Sequence, residues 1–335
     1  MTGGRADDAR VRTAFLGSGG FGRQALRRLA GRADVDLVGV VTAPARPAGR
    51  SQQLTATPIA ETASELGIGT ILTPDRLRAP DAIEAVLALH PDLLVLADYG
   101  QIVPAALLGV RLGALNLHPS LLPRHRGSTP IPAAILAGDR ETGVSLMRMD
   151  EGLDTGPIID QERLTLDATE TTPALEAALE HVAAGLLDRN LGRWIRGEVE
   201  PRPQDEAAAT LTRPLRREDG RLDPRRAAID LERQVRAYQP WPGSFVGTPV
   251  GRIVAWSAGV DDPAGADGSG APSRGTFDEQ GLGVGDGERL RLIEVQPAGG
   301  KRMTWEAFIR GRPSIVGAHV QPGPEQHRGS PTDLR

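Results

Sequence analysis

The stretch that decides the fold is Val11-Arg-Thr-Ala-Phe-Leu16 followed by Gly17-Ser-Gly-Gly-Phe-Gly22 and passing into Gln24-Ala-Leu-Arg-Arg-Leu29. A short apolar run, a glycine-rich turn and a helix-like segment in direct succession read as strand, tight turn, helix. Units of the same kind follow. Val35–Thr42 reads as a buried strand, Pro58–Leu66 as a helix, Thr70–Leu72 as a brief strand, Asp81–Leu89 as a helix and Asp92–Ala97 as a third apolar strand. Ala114–Leu117 and Val144–Met149 add two strands with the helix Ile131–Leu136 between them, and Ala and Leu recur at helical spacing over Thr172–Arg196. Such alternation implies βαβ units and a mostly parallel, doubly wound α/β sheet.

Residues 197–209 break the pattern. They are rich in Pro and charge, without periodicity, and are expected to link a catalytic domain over 11–196 to a second domain over 210–318. The second domain opens with a helix near Arg226–Tyr238. It continues with short strand-like runs at Ser244–Val246, Ile253–Trp256, Gly281–Val284 and Leu290–Val295, a pattern that suits a small β-barrel. Residues 1–10 and 319–335 read as disordered tails, and Asp261–Gly275 as a Gly/Asp/Pro/Ser loop.

Composition narrows the function. The 335 residues hold no cysteine, which removes disulfides, thiolate nucleophiles and Cys-based metal sites. No apolar run approaches the ~18 residues of a membrane helix, and the polar start MTGGRADDAR lacks the apolar core of a signal peptide, so a cytoplasmic protein with no membrane partner is expected. With 39 basic and 43 acidic groups the net charge is −4, which gives no general electrostatic case for nucleic acid. Of the cations only Lys301 is a lysine, so lysine-dependent chemistry has a single candidate. Metal dependence is not expected, because the six histidines show no ligand spacing with one another.

Gly17-Ser-Gly19-Gly-Phe-Gly22 satisfies G-x-G-x-x-G between a strand and a helix, the context of a dinucleotide fingerprint. That fingerprint also requires an acidic residue at the end of the second strand, where this chain has Val40-Val41-Thr42-Ala43-Pro44. The glycines then serve close packing of strand and helix, and a nicotinamide enzyme is disfavoured. A second constellation lies mid-chain. Asn116 and His118 stand two apart at the end of a strand, so both project from one face. Met149-Asp150-Glu151-Gly152-Leu153-Asp154-Thr155-Gly156 places three carboxylates in a glycine-bounded loop after the next strand. Either segment alone also reads as a satisfied buried histidine or a solvated turn. Together they supply the parts for acyl transfer to an amine: an amide donor for a developing oxyanion, an imidazole acid/base and a carboxylate to orient it. Ser120 and Ser128 lack the nucleophile elbow, which favours direct transfer.

At these residues the chain resembles the 10-formyltetrahydrofolate-dependent formyltransferases, over about Arg12 to Arg312, and within them the branch acting on initiator methionyl-tRNA. The family's Asn-x-His followed by S-L-L-P matches Asn116, His118 and Ser120–Pro123, and its G-L-D-T-G matches the segment around Asp154. Arg46-Pro-Ala-Gly-Arg50, Tyr99-Gly-Gln-Ile102, Pro240-Trp-Pro-Gly243 and Val295-Gln-Pro with Lys301-Arg-Met303 match the tRNA branch. The resemblance implies Asn116, His118 and Asp154 as catalytic residues. It implies a donor pocket lined by Leu96, Tyr99, Ser120, Leu121, Leu122, Pro123, Asp150 and Gly152, and tRNA contact through Arg46 and Arg50. It also implies a C-terminal OB-like domain that holds tRNA and a chain acting as a monomer. A sugar-nucleotide N-formyltransferase or another amine-accepting paralogue is the alternative. The chain departs from the family at Ser51-Gln52-Gln53, where lysines are common, at Thr210-Leu-Thr-Arg-Pro214, which lacks the usual Tyr and Lys, and at Asp98, where Ala is common.

Overall fold

The computed structural model of the chain describes residues 10–48, 53–261 and 271–321. These divide into two compact units. The first runs to Pro214, apart from Ile135–Gly138 and Thr169–Pro173, which group with the second, from Leu215 onward.

The first unit is built on strands β1 (Val11–Leu16), β2 (Val35–Val41), β3 (Ile71–Leu72), β4 (Leu93–Ala97), β5 (Ala114–His118), β6 (Glu141–Arg148) and β7 (Ile158–Thr165). They form one sheet in the order β7-β6-β5-β4-β1-β2-β3. Pairings among β1 to β5 are parallel, while β6 runs antiparallel to both β5 and β7. The continuous apolar strands are the central ones, as two-sided burial requires: all five residues of β4 are buried, and every residue of β1 except Arg12. Helices α1 (Arg23–Ala30), α2 (Pro58–Glu65), α3 (Pro80–Leu87), α4 (Ala105–Leu108), α5 (Pro130–Ala137) and α6 (Thr172–Ile195) complete the unit's elements. The start of α2 follows from its residues: Thr57 accepts the Ala60 N–H through its hydroxyl at 3.1 Å, and Pro58 occupies the first turn.

The mostly parallel α/β expectation holds, with an antiparallel edge added. The edge strand β7 was not expected because Asp160-Gln-Glu-Arg163 fills its middle, and a strand exposed on one side loses the apolar run that marks its neighbours. Residues 197–209, expected to be a linker, are bonded to the first unit: Arg202 pairs with Ile158 and Gln204 donates to the Asp154 and Gly156 carbonyls, while just beyond them Leu211–Thr212 pairs in parallel with Arg126–Gly127. The first unit therefore continues past the expected boundary at 209 to Pro214.

The second unit is an antiparallel β domain. Its strands are β8 (Ser244–Thr248), β9 (Gly251–Val260), β10 (Gly281–Val284), β11 (Glu288–Pro297) and β12 (Met303–Thr304), ordered β8-β9-β11-β10 with β12 on the other part of β11. Register shifts around Ser257 bend β9, and α7 (Ala228–Ala237) and α8 (Trp305–Gly311) pack against the sheet. Three of the eleven aromatics meet in this core, where Trp305 lies 5.7 Å from Phe277 and 5.5 Å from Phe308 between ring centroids. Pairing of Thr276 with His319 and of Gly247 with Gln321 carries ordered chain past the expected end at 318. Residues 319–321, expected to belong to a tail, are thus paired, and residues 1–9 and 322–335 lie outside the described residues. No helix among the described residues is long and apolar enough to cross a membrane.

Candidate active site

Strand order in the first sheet reverses between β1 and β4, and at such a point the two flanking loops turn to opposite sides and leave a crevice at the carboxyl ends. Gly17 follows β1, Asp98 follows β4, and Asn116 and His118 end β5. Pairing of Leu96 with Asn116 fixes their register, and across the sheet His118 lies opposite Ser145 of β6.

His118 is 4% exposed. Its Nε2 lies 2.9 Å from the carbonyl oxygen of His125. A carbonyl only accepts, so Nε2 carries the proton of the neutral ring and Nδ1 keeps the lone pair. That Nδ1 faces Asp154, with Oδ2 at 3.7 Å, outside hydrogen-bond length and inside ion-pair range. Asp154 is held from three directions. Its Oδ2 accepts the Gly127 N–H at 2.8 Å, its backbone adopts the left-handed conformation at φ 53°, and Gln204 Nε2 donates to the carbonyls of Asp154 and Gly156 at 2.8 and 2.7 Å. Gly156 is required at the loop's end because a Cβ there would stand 1.9 Å from the Arg148 carbonyl oxygen. Of the three carboxylates in this loop, Asp150 is spent on the turn itself, accepting from the Gly152 N–H at 3.0 Å and the Thr155 hydroxyl at 2.7 Å.

The Ser120–Pro123 loop is locked from within. Ser120 donates to the Arg124 carbonyl at 2.6 Å. Ser145 Oγ donates to the Ser120 carbonyl at 2.7 Å and accepts from Leu122 N–H and Gln161 Nε2, which saturates it. Ser120 and Leu122 are buried, Leu121 and Pro123 half-buried, and the Leu122–Pro123 peptide is cis. Leu96 is a core residue at 3% exposure, and Tyr99 packs beside the same core with its hydroxyl buried and unbonded, which pushes the phenol up to about 12. Arg46 is exposed on a two-strand ribbon of Arg46–Ala48 with Gln53–Thr55, and Arg50, Ser51 and Gln52 lie outside the described residues.

The glycine loop is arranged against a phosphate. Its Ser18 and Gly19 N–H groups donate to the Asp98 carbonyl at 2.9 and 3.3 Å. Amides of the turn before α1 and of its first turn face carboxylates of α6: Phe21 N–H meets Glu176, and Gln24 N–H donates to Glu180 at 3.1 Å. A pyrophosphate at that helix end would meet fixed negative charge. Close packing explains the glycines instead, since a Cβ on Gly17 would lie 2.7 Å from the Ala97 carbonyl oxygen. The Asp98 side chain, at φ 52°, reaches over Gly19, where a Cβ would stand 1.4 Å from its Oδ2. The residue is exposed, but its carboxyl is turned onto the glycine loop, and the water lost there raises its pKa. Glu176 is raised too, first by burial and then by the charges of Asp98 and Glu180.

The residues absent from the sequence reading are those that brace the site: Gly127, His125, Ser145, Gln161 and Gln204. Each acts across a gap in the chain, 50 residues in the case of Gln204 and Asp154, and the Pro- and charge-rich context of Gln204 resembles a linker. Among the described residues no group of three His, Asp or Glu side chains is placed to hold a metal ion.

Residues 11–191 match the family model Formyl transferase, and 214–313 match Formyl transferase, C-terminal domain. A methionyl-tRNA formyltransferase of Chloroflexus aurantiacus is 42% identical over 311 residues, covering 90% of this chain and 97% of its own. One of Halorhodospira halophila is 40% identical, covering 93% and 99%. Among solved structures, WlaRD, a sugar 3N-formyl transferase crystallised with dTdp and 5-N-Formyl-THF, superposes with a TM-score of 0.60 at 15% identity, covering 85% of this chain and 97% of that one. HypX from Aquifex aeolicus, in complex with tetrahydrofolic acid, gives 0.59 at 16%, covering 90% and 47%. At those identities the two structures speak for the fold alone, whereas the two family matches in order and relatives at 40% identity over nearly the whole length place lineage beyond the fold: the chain belongs to the formyltransferase family, in its two-domain methionyl-tRNA formyltransferase branch.

Proposed function

We propose that the enzyme transfers a formyl group from 10-formyltetrahydrofolate to the α-amino group of methionine esterified to initiator tRNA. The first unit would carry donor and chemistry and the second would contact nucleic acid. The observation that carries the reading is the state of His118: Nε2 is committed to a backbone carbonyl, and Nδ1 is left as a buried lone pair facing a carboxylate. His118 Nδ1 takes the proton that the attacking amine sheds as its nitrogen bonds to the formyl carbon. Asn116 donates its side-chain amide to the oxyanion of the tetrahedral intermediate, and Asp154 stabilises the imidazolium. His118 returns the proton to the departing N10 as the old C–N bond breaks. No metal is invoked.

Support for a polyanionic acceptor comes from the second unit. Arg252 stacks 3.8 Å above the Phe245 ring and Arg221 lies 5.5 Å from it. The Arg252 Nε is buried without a partner. Burial and the charges of Arg217 and Arg221 hold the Arg252 guanidinium below its usual pKa, and among the described residues none of the three pairs with a carboxylate. Cations that repel one another without a counter-charge are relieved by a phosphate. Arg46, exposed on its ribbon, suits the acceptor end, and Asp98 borders the crevice that would take the donor.

Incubation with 10-formyltetrahydrofolate and methionine-charged initiator tRNA is expected to yield formylmethionyl-tRNA by mass spectrometry at catalytic enzyme levels; turnover on an amino sugar nucleotide instead would overturn the acceptor assignment. His118→Ala is expected to lower kcat by about 10²–10⁴ and Asn116→Ala by about 10²–10³, measured in single-turnover assays on variants shown folded by circular dichroism. Arg252→Gln is expected to reduce the slope of log K against log salt for tRNA binding by about one, with donor binding unaltered.

Asp98 gives a pH signature. Its folded-state pKa is raised, so the native protein holds this proton to higher pH than the unfolded chain, and stability falls as pH rises from the unfolded value of ~4 through the folded one. Asp98→Asn keeps a residue that tolerates φ 52° and removes that loss. The variant is expected to melt slightly above wild type at pH 7.5, a small gain because the residue is exposed, with the gain vanishing towards pH 4, by calorimetry.

A further inference from the structure

The His125 carbonyl that fixes the tautomer of His118 belongs to a residue held under unusual constraint. His125 is a non-glycine residue in the left-handed conformation, φ 58°, and its carbonyl direction depends on keeping that conformation. Two bonds hold it. The His125 N–H donates to Thr210 Oγ1 at 2.8 Å, and its ring Nε2 lies 2.8 Å from Asp139 Oδ2. Asp139 is braced in turn by Arg124, whose guanidinium donates to Oδ1 at 2.6 Å. The two side chains of the pair are 11% and 12% exposed. The carboxylate accepts from the His125 ring, so that ring faces Asp139 and not the crevice, and its imidazole is not a second acid/base.

We propose that His125 and Asp139 are positioning residues for the reaction. Their ring-to-carboxylate bond holds the His125 backbone so that its carbonyl accepts from His118 Nε2, which keeps the catalytic lone pair on Nδ1, beside Asp154. The inference rests on the reading of His118 as the acid/base. Without the Asp139 carboxylate the His125 ring loses its anchor, the peptide relaxes from the left-handed region, and the His118 ring is free to protonate at Nδ1, where it no longer accepts a proton.

The test uses the full-length protein labelled with ¹⁵N at its six histidines. In the wild type, long-range ¹H–¹⁵N correlation at neutral pH is expected to show His118 as the Nε2–H tautomer, assigned by its loss in His118→Ala. Asp139→Ala is expected to show mixed tautomers at His118 and a kcat about 10–100-fold lower, with KM for donor and acceptor within about twofold. Asp139→Asn, whose amide oxygen still accepts from the His125 ring, is expected to restore the Nε2–H tautomer and most of kcat. A wild-type His118 protonated at Nδ1, or an Asp139→Ala enzyme with wild-type tautomer and kcat, overturns the proposal. The first readout stands even if Asp139→Ala does not fold. Failure of the underlying reading is separately visible, because His118→Ala would then keep its turnover whatever the tautomer.

Discussion

The bond from His118 Nε2 to the carbonyl of His125 converts the course of a loop into the protonation state of a side chain. A buried imidazole with a free choice of tautomer is an ambiguous base, since either nitrogen can carry the proton. Here the choice is made by a backbone oxygen that only accepts. Much of the surrounding loop structure serves that choice. Ser145 and Gln161 lock the turn between His118 and His125, Thr210 and Asp139 hold His125 itself, and Gly127 sets the carboxylate that faces Nδ1. These bonds lie inside the first unit, which explains why that unit extends through residues that resemble a linker: Gln204 and Thr210 are parts of the site's frame.

The sheet supplies the other constraint. Reversal of strand order at β1 opens the crevice, and the antiparallel turn of β6 brings Ser145 across from His118, so the loop after β5 is braced by a strand that a purely parallel sheet would not offer there. The crevice is also made selective by charge. Glu176, Glu180 and Asp98 surround the glycine loop, and the helix end that in a dinucleotide fold receives a phosphate is already occupied, which leaves the neighbouring strand ends for the proposed chemistry. The motif most visible in the sequence is therefore a packing device, while the pair proposed for the chemistry is a quieter Asn-x-His.

What could be read from the sequence is what local periodicity encodes. The two-sided burial of β4 and of most of β1 leaves apolar runs, and the two-residue spacing of Asn116 and His118 puts them on one face. By spacing alone Asp154 was one of three carboxylates, and it was singled out only by resemblance to the G-L-D-T-G motif; the physical choice among the three is made by the Gly127 N–H and by a positive φ, neither of which has a mark in spacing or periodicity. The strand Ile158–Thr165 and the pair His125–Asp139 were not legible at all. The former is too polar at the sheet edge to show alternation, and the latter joins residues 14 apart through a tertiary bond. Those bracing contacts are physical consequences of the fold and enter only once it is built.

The central claim is that the end of β5 is where the formyl group changes hands, and a crystal structure with a stable 5-formyl analogue of the folate donor tests it most directly. The expected result places the formyl oxygen within hydrogen-bond distance of the Asn116 side-chain amide and its carbon on the Nδ1 side of His118, with Asp154 alongside. A donor seated on the glycine loop after β1, or one whose formyl group points away from Asn116 and His118, would contradict the account.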